Sequence, residues 1–276
     1  MAGLIEATTL RAAGDGYVAT LDRDWEIWGP AGGYLAAIAL RAVRERALDG
    51  HRPVTLTGQF VRVAQPGELQ ITVTPLKEGA SALYAVTSSQ GGQPIFLSQV
   101  WTTRRAEPSA PIQPVMPDVP RPAALRNQEE LSAERGIQHG KFWKNLEGRP
   151  VEFRLHDDPP AQHPNQRRWM RFTQWDEGQG DDLFFDAMRT ALLIDLGIWP
   201  GHWHRLEEAA GYLAPSLDLT VYFHGSEPAG AWLLSDADSD VSGDGLISGR
   251  VRIWSEAGRA LATGSGHCLV TTPRSR

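Results

Sequence analysis

The 276-residue sequence holds one cysteine, Cys268, so no disulfide can form within the chain and a reducing compartment is its natural setting. No apolar run approaches the ~20 residues a membrane helix needs; the best candidate, Tyr34 to Leu40, stops at Arg41. The opening MAGLIEATTLRAAGDGY carries acidic residues and no long apolar core, which is not a secretory pattern, and a soluble cytoplasmic protein is expected. Basic residues number 27 against 33 acidic ones, so no cationic face points to nucleic acid. Also missing are a G-x-S-x-G nucleophile elbow and a Cys/His quartet at zinc spacing. HWH (202–204) stands without such companions, and SDADSDVSGDG (235–245) lacks the spacing and closing Glu of a calcium loop, so an acidic hairpin turn is expected there. No metal or other cofactor is expected.

What is present is an alternation of one long helical segment with four strand-like ones. GPAGGYLAAIALRAV (29–43) opens the first helix, expected over about 33–48. Strands are expected at 55–61, 69–76, 83–90 and 95–103, separated by turns rich in Gly and Pro. Prolines then recur from Ala106 to Ala123, as in an extended connector, and a polar, helical piece is expected over about 127–146. The second half opens with a strand at 167–175 and a helix at 181–199, N-capped by Asp181 or Asp182. Four more strands follow at 216–224, 231–239, 245–254 and 259–270. A sheet with one apolar face must cover it, and in each half the helix is the only large element available. The order therefore predicts a sheet curled around a central helix, twice, with divisions at 1–105, 106–148 and 149–276.

The glycines at 32 and 33 raise the question of phosphate binding. The third glycine of a dinucleotide fingerprint is absent, as is the GK[ST] of a P-loop. Small residues there suggest instead a helix pressed closely against its surroundings, with bare N–H groups at its start. On the second helix, Phe184, Met188, Ala191 and Asp195 fall on one stripe at spacings i, i+4, i+7 and i+11. A carboxylate on a face that should be buried needs partners or a cavity. Either Asp195 is partly exposed near a helix end frayed by Pro200, or it is a base held in an apolar pocket.

Several stretches in this order resemble the acyl-CoA thioesterase II family: GPAGGYLAAIALRA (29–42), QFVRVAQPGELQITVTPLKEG (59–79), GRPVEFR (148–154), LIDLGIWP (193–200) and LDLTVYFHG (217–225). The likeness runs from about Asp22 to Val270 and implies an α+β double hotdog, two antiparallel sheets each wrapping a long central helix as a tandem repeat in one chain. It implies hydrolysis of an acyl-CoA thioester, in fatty-acid metabolism, without a cofactor. Free sheet edges in such folds pair between chains, so a homodimer or higher homo-oligomer is expected.

In that family an Asp, a Thr or Ser, and a Gln hold the water. The resemblance carries these roles to Asp195, to Ser216 and, for the Gln, to Gly266, where the amide is missing. His267 is adjacent, but strand alternation turns it away if Gly266 faces the site. Gln99, on the last strand of the first half, is a possible stand-in. Gly32, Gly33 and Tyr34 are the expected substrate contacts, the glycine N–H groups as polarisers of the thioester carbonyl. The missing Gln leaves a second reading open, an acyl-CoA or acyl-ligand binding protein with little or no turnover. A third, enoyl-thioester hydration by an Asp195–His202 pair, suffers from a long spacing and from Pro200-Gly201, which should end the helix. Arg62, Arg167, Arg168 and Arg171 either meet CoA phosphates or are solvated. Trp169, Trp175, Trp199 and Trp203 are core residues, some of them lining an acyl pocket. Cys268 reads as a buried structural thiol.

Overall fold

The structure, a computed structural model, describes residues 2–104, 112–155, 158–159, 161–174, 182–206, 213–228 and 230–271. Among the described residues the α-helices are α1 (Leu4–Ala7), α2 (Gly32–Arg44), α3 (Gln128–Glu134) and α4 (Leu183–Trp203). The strands are β1 (Leu10–Ala13), β2 (Gly16–Leu21), β3 (Arg52–Phe60), β4 (Gly67–Lys77), β5 (Ser81–Gln90) and β6 (Gln93–Thr103) in the first half. In the second half they are β7 (Leu146–Pro150), β8 (Gln166–Phe172), β9 (Asp218–Phe223), β10 (Leu233–Gly243), β11 (Leu246–Ser255) and β12 (Ala260–Leu269).

All the strands belong to one antiparallel, 12-stranded sheet in the order β1-β2-β4-β5-β6-β3-β9-β12-β11-β10-β8-β7. The expected pair of sheets is thus a single continuous one. Its halves join edge to edge where β3 pairs with β9, Thr55 opposite Tyr222 and Gly58 opposite Leu219. An edge strand exposes unpaired N–H and C=O groups, and here each half satisfies the other's. The halves match element for element, and α2 and α4 lie side by side in the concavity.

The eight strands that follow the two helices lie where the alternation and turn residues place them. Sequence reading missed β1, β2 and β7, which are short and, in β1, largely exposed, so no apolar alternation marks them. The acidic stretch 235–245 is mostly strand. Only Asp244-Gly245 turns, both with positive φ (50° and 78°), as a tight hairpin requires. The piece expected to be helical over 127–146 is α3 followed by a separate 3-10 turn, Lys141–Asn145.

Both long helices are apolar nearly all round because they are covered on every side. Helix α2 stops at Arg44, since Val43 is its last buried residue and Leu48 is already exposed. Helix α4 is capped by Asp182, whose Oδ1 accepts from the Phe184 N–H at 2.9 Å; Asp181 lies outside the described residues. Pro200 does not end it: the helix runs on to Trp203. A proline inside a helix removes one hydrogen bond. Here the Arg154 guanidinium offsets that by holding the terminal carbonyls, 2.8 Å from Trp203 O and 3.3 Å from His204 O. The proline-rich connector is no free linker beyond residue 111. Met116, Val119 and Leu125 pack on Trp169, Leu234 and Trp254 on the outer face of the second half, and Trp169 Nε1 donates to Pro120 O at 2.9 Å.

Candidate active site

The two halves pack tightly where α2 begins. A Cβ on Gly33 would stand 2.6 Å from Leu192 Cα and 2.9 Å from Leu192 O, so only glycine lets the helices approach this far. That approach brings Asp195, from the second half, to the first turn of α2. The Gly33 N–H donates to Asp195 Oδ2 at 2.7 Å, and Ser216 Oγ donates to Oδ1 at 2.9 Å. First-turn amides have no partner inside their own helix, and a carboxylate is the natural acceptor there. Asp195 and Ser216, 21 residues apart in the chain, are thus in direct contact.

Asp195 faces a cavity of about 460 Å³ whose wall is mostly apolar and includes Trp28, Phe60, Trp143, Trp199 and Cys268. Removal from water pushes the Asp195 pKa up, and the bonds from Ser216 and Gly33 pull it part of the way back. Asp195 is itself half-buried on the cavity wall, with Phe184, Met188 and Ala191 of its stripe buried, and the helix end beyond it does not fray at Pro200. Cys268 is bridged to Ser216 in the sheet, and its thiol is pushed up to about 12, first by burial and then by the Asp195 charge. It therefore stays a neutral thiol near the carboxylate.

Gly32 lines the cavity; Gly33 lies behind Asp195, and its N–H is occupied by that carboxylate rather than free for a substrate carbonyl. Tyr34 is a correction to the expected substrate contacts. Its hydroxyl donates to Ala7 O at 2.6 Å, its ring stacks on Trp25 at 5.7 Å, and it is fully buried away from the cavity wall. Gly266 faces inward and His267 outward, as alternation requires, and His267 pairs with Asp218 at 3.1 Å. A Cβ at Gly266 would meet Ile198 Cδ1 at 2.7 Å and Asp218 O at 2.6 Å, so the space of a longer side chain is already filled by α4 and β9. Gln99 is exposed on the outer face and is no stand-in. His202 is two turns of helix beyond Asp195, about 10 Å by the helical rise, and its ring meets Trp199 and Ser239 instead.

Of the tryptophans singled out, Trp199 lines the Asp195 cavity, Trp203 a neighbouring one, and Trp169 is buried under the connector; Trp175 lies outside the described residues. Arg167 is paired with Asp236 at 2.9 Å and Arg171 with Glu147, while Arg62 bonds Pro94 O at 3.0 Å. Arg168 is buried, so of the two readings open for it the solvated surface arginine does not hold. Sequence reasoning missed Trp28, Phe60, Trp143 and the siting of Cys268; of these only Cys268 carried a signal, two residues after Gly266 on the same strand face.

A protein-family model described as acyl-CoA thioesterase N-terminal domain matches residues 21–103, and one described as acyl-CoA thioesterase C-terminal domain matches residues 119–270. The chain is 27% identical over 271 residues to acyl-coenzyme A thioesterase 8 of Homo sapiens, covering 86% of this chain and 80% of that protein. A protein of unknown function with a hotdog fold from Alicyclobacillus acidocaldarius superposes with a TM-score of 0.82 at 21% identity, over 98% of both chains. The acyl-CoA thioesterase II TesB2 of Mycobacterium marinum does so at 0.79 and 21% identity, over 99% of both. These superpositions establish the double hotdog fold.

Proposed function

The chain belongs to the acyl-CoA thioesterase II family of thioester hydrolases, and on that premise we propose that it cleaves an acyl-CoA thioester with a water activated by Asp195 and oriented by Ser216. The observation that carries this reading is a carboxylate held by two hydrogen bonds on the wall of a mostly apolar cavity, with its pKa raised by the loss of water. Desolvation makes such a carboxylate a better base than one at the surface.

The step balances as follows. A water donates to Asp195 and attacks the acyl carbon, and its proton passes to the carboxylate. The C–S bond breaks, and Asp195 returns the proton to the departing CoA sulfur, leaving a carboxylic acid and free CoA. Gly33 serves the base. The developing oxyanion falls to Gly32, whose N–H opens α2 at the cavity wall. Self-association through the outer strands β1 and β7 belongs to the same reading, and sedimentation tests it.

One observation favours a second reading, binding with slow turnover: Gly266 stands where the family's water-holding Gln is expected, and Ile198 fills the space. Loss of one positioning contact costs about 10²-fold. The test is release of free thiol from acetyl-, octanoyl- and palmitoyl-CoA by the purified chain. Release from any of them supports hydrolysis; saturable binding of all three with no thiol released favours the second reading.

A further inference from the structure

Asp195 is approached from the first half by more than the Gly33 amide. A Cβ placed on Gly32 would stand 2.9 Å from Phe60 Cζ, 2.9 Å from Asp195 Oδ1 and 3.0 Å from Asp195 Oδ2. The tip of the Phe60 ring and both carboxylate oxygens thus close on one point, and a glycine at 32 leaves them the room. Phe60 ends β3 on its inward face, the face of Leu56 and Gly58, and it lines the Asp195 cavity. Its backbone N–H donates to Leu217 O at 2.8 Å, which ties it to the segment that carries Ser216.

The ring is braced from behind. Phe96 stands directly opposite Phe60 where β3 pairs with β6, and the two rings stack with their centres 4.7 Å apart. Phe96 is fully buried and lies over Gly58, where any Cβ would collide with its ring. Glycines at 58 and 32 therefore accommodate a pair of phenylalanines that reaches from β6 to the carboxylate. A ring stacked on a fully buried partner has little freedom to turn aside.

The effect of such a ring on a carboxylate follows from solvation. Water displaced from the carboxylate takes with it hydrogen bonds that the anion needs more than the neutral acid does, so the anion becomes a stronger base. Helix α2 offers Asp195 the Gly33 amide, the segment before β9 the Ser216 hydroxyl, and β12 the Cys268 thiol, which burial keeps neutral. Arg62, just past β3, lines the same cavity but is exposed and donates to Pro94 O at 3.0 Å. Among the described residues no cation pairs with Asp195, so no counter-charge offsets the loss of water.

We propose that Phe60 is a positioning residue for the base: braced by Phe96, its ring keeps water from one side of the Asp195 carboxylate while the cavity side stays open to the attacking water. This rests on the thioesterase reading of that cavity. It gives strand β3 of the first half a part in the chemistry of the second.

The test reads the base both with and without turnover. In wild type, Phe60→Ala and Phe60→Leu, the acid limb of kcat/KM for octanoyl-CoA is measured. The Asp195 carboxyl is titrated in the same proteins by carbon NMR, assigned by the resonance missing from Asp195→Asn. Phe60→Ala lets water reach the carboxylate, so the base loses its proton at lower pH. Both midpoints should then fall by about 0.5 or more and kcat by roughly 3- to 10-fold, while Phe60→Leu, which keeps hydrocarbon at that place, stays near wild type. Unchanged midpoints in Phe60→Ala, whatever happens to KM, would leave the ring as packing or an acyl contact and overturn the proposal. Equal shifts in both variants would overturn it too. Should Phe60→Ala fail to fold, Phe60→Thr, which suits a strand and brings a hydroxyl in place of the ring, carries the same comparison. A lowered NMR midpoint in a protein whose wild type releases no thiol supports the shielding and overturns the thioesterase reading alone.

Discussion

Asp195 Oδ2 accepts the Gly33 N–H at 2.7 Å, so the candidate base of the second half is held by the first turn of the helix of the first half. Neither half alone carries this site. The carboxylate needs α4 to position it, α2 to satisfy it and Ser216, two residues before β9, to donate a hydroxyl. The contact exists because two helices touch with no side chain between them at Gly33.

That close approach makes Gly33→Ala a severe substitution. The added methyl would meet backbone atoms of Leu192, which cannot rotate away. We expect a loss of about 1–3 kcal/mol in urea unfolding, typical of an overpacked core, together with a fall in thioesterase activity as Asp195 moves off the α2 amide.

Asp195→Asn should separate stability from function. The Asp195 pKa is raised in the fold, chiefly by burial, so the folded state holds its proton more tightly than the unfolded chain. Stability from this group is then lost as pH rises between the unfolded and the folded pKa. The isosteric amide escapes that loss. Thermal melts at pH 7 should show the variant more stable than wild type, with the gap closing as pH falls below the ordinary carboxylate range.

Ser216→Ala removes a hydrogen bond that pulls the Asp195 pKa down. The acid limb of the pH profile of kcat/KM should therefore move to higher pH, and kcat should fall by about 10²-fold if the hydroxyl orients the water. An unchanged limb with lowered kcat would assign Ser216 to the water alone.

Restoring a glutamine at 266 is expected to fail on its own. The new side chain would collide with Ile198 and with the Asp218 carbonyl, so Gly266→Gln should destabilise the fold by about 1–3 kcal/mol without raising activity. Adding Ile198→Ala opens the helix side of that site. Part of the stability should return in the double variant, measured by the same unfolding curves.

Much of this was legible beforehand because the informative residues obey simple periods. The strands after each helix alternate, and the stripe of Phe184, Met188, Ala191 and Asp195 put a carboxylate on a buried helix face. Strand alternation also turned Gly266 inward and His267 outward. The parts that were not legible depend on contacts between distant segments. Nothing local marks β1 or β7, whose places come from neighbouring strands. Pro200 reads as a helix stop, and only Arg154, brought in from another segment, shows how the helix continues. Tyr34 follows two glycines that touch Asp195, yet its helix turns the ring to the opposite side, against Trp25. Arg168 looks like any surface arginine until β7, α3 and Trp143 cover it.

The most direct test is steady-state release of CoA thiol from octanoyl- and palmitoyl-CoA by the wild-type chain and by Asp195→Asn, both checked for folding. The account predicts turnover by wild type and its loss in the variant, by about 10²-fold or more, with acyl-CoA binding retained. Equal turnover by the two proteins would contradict it.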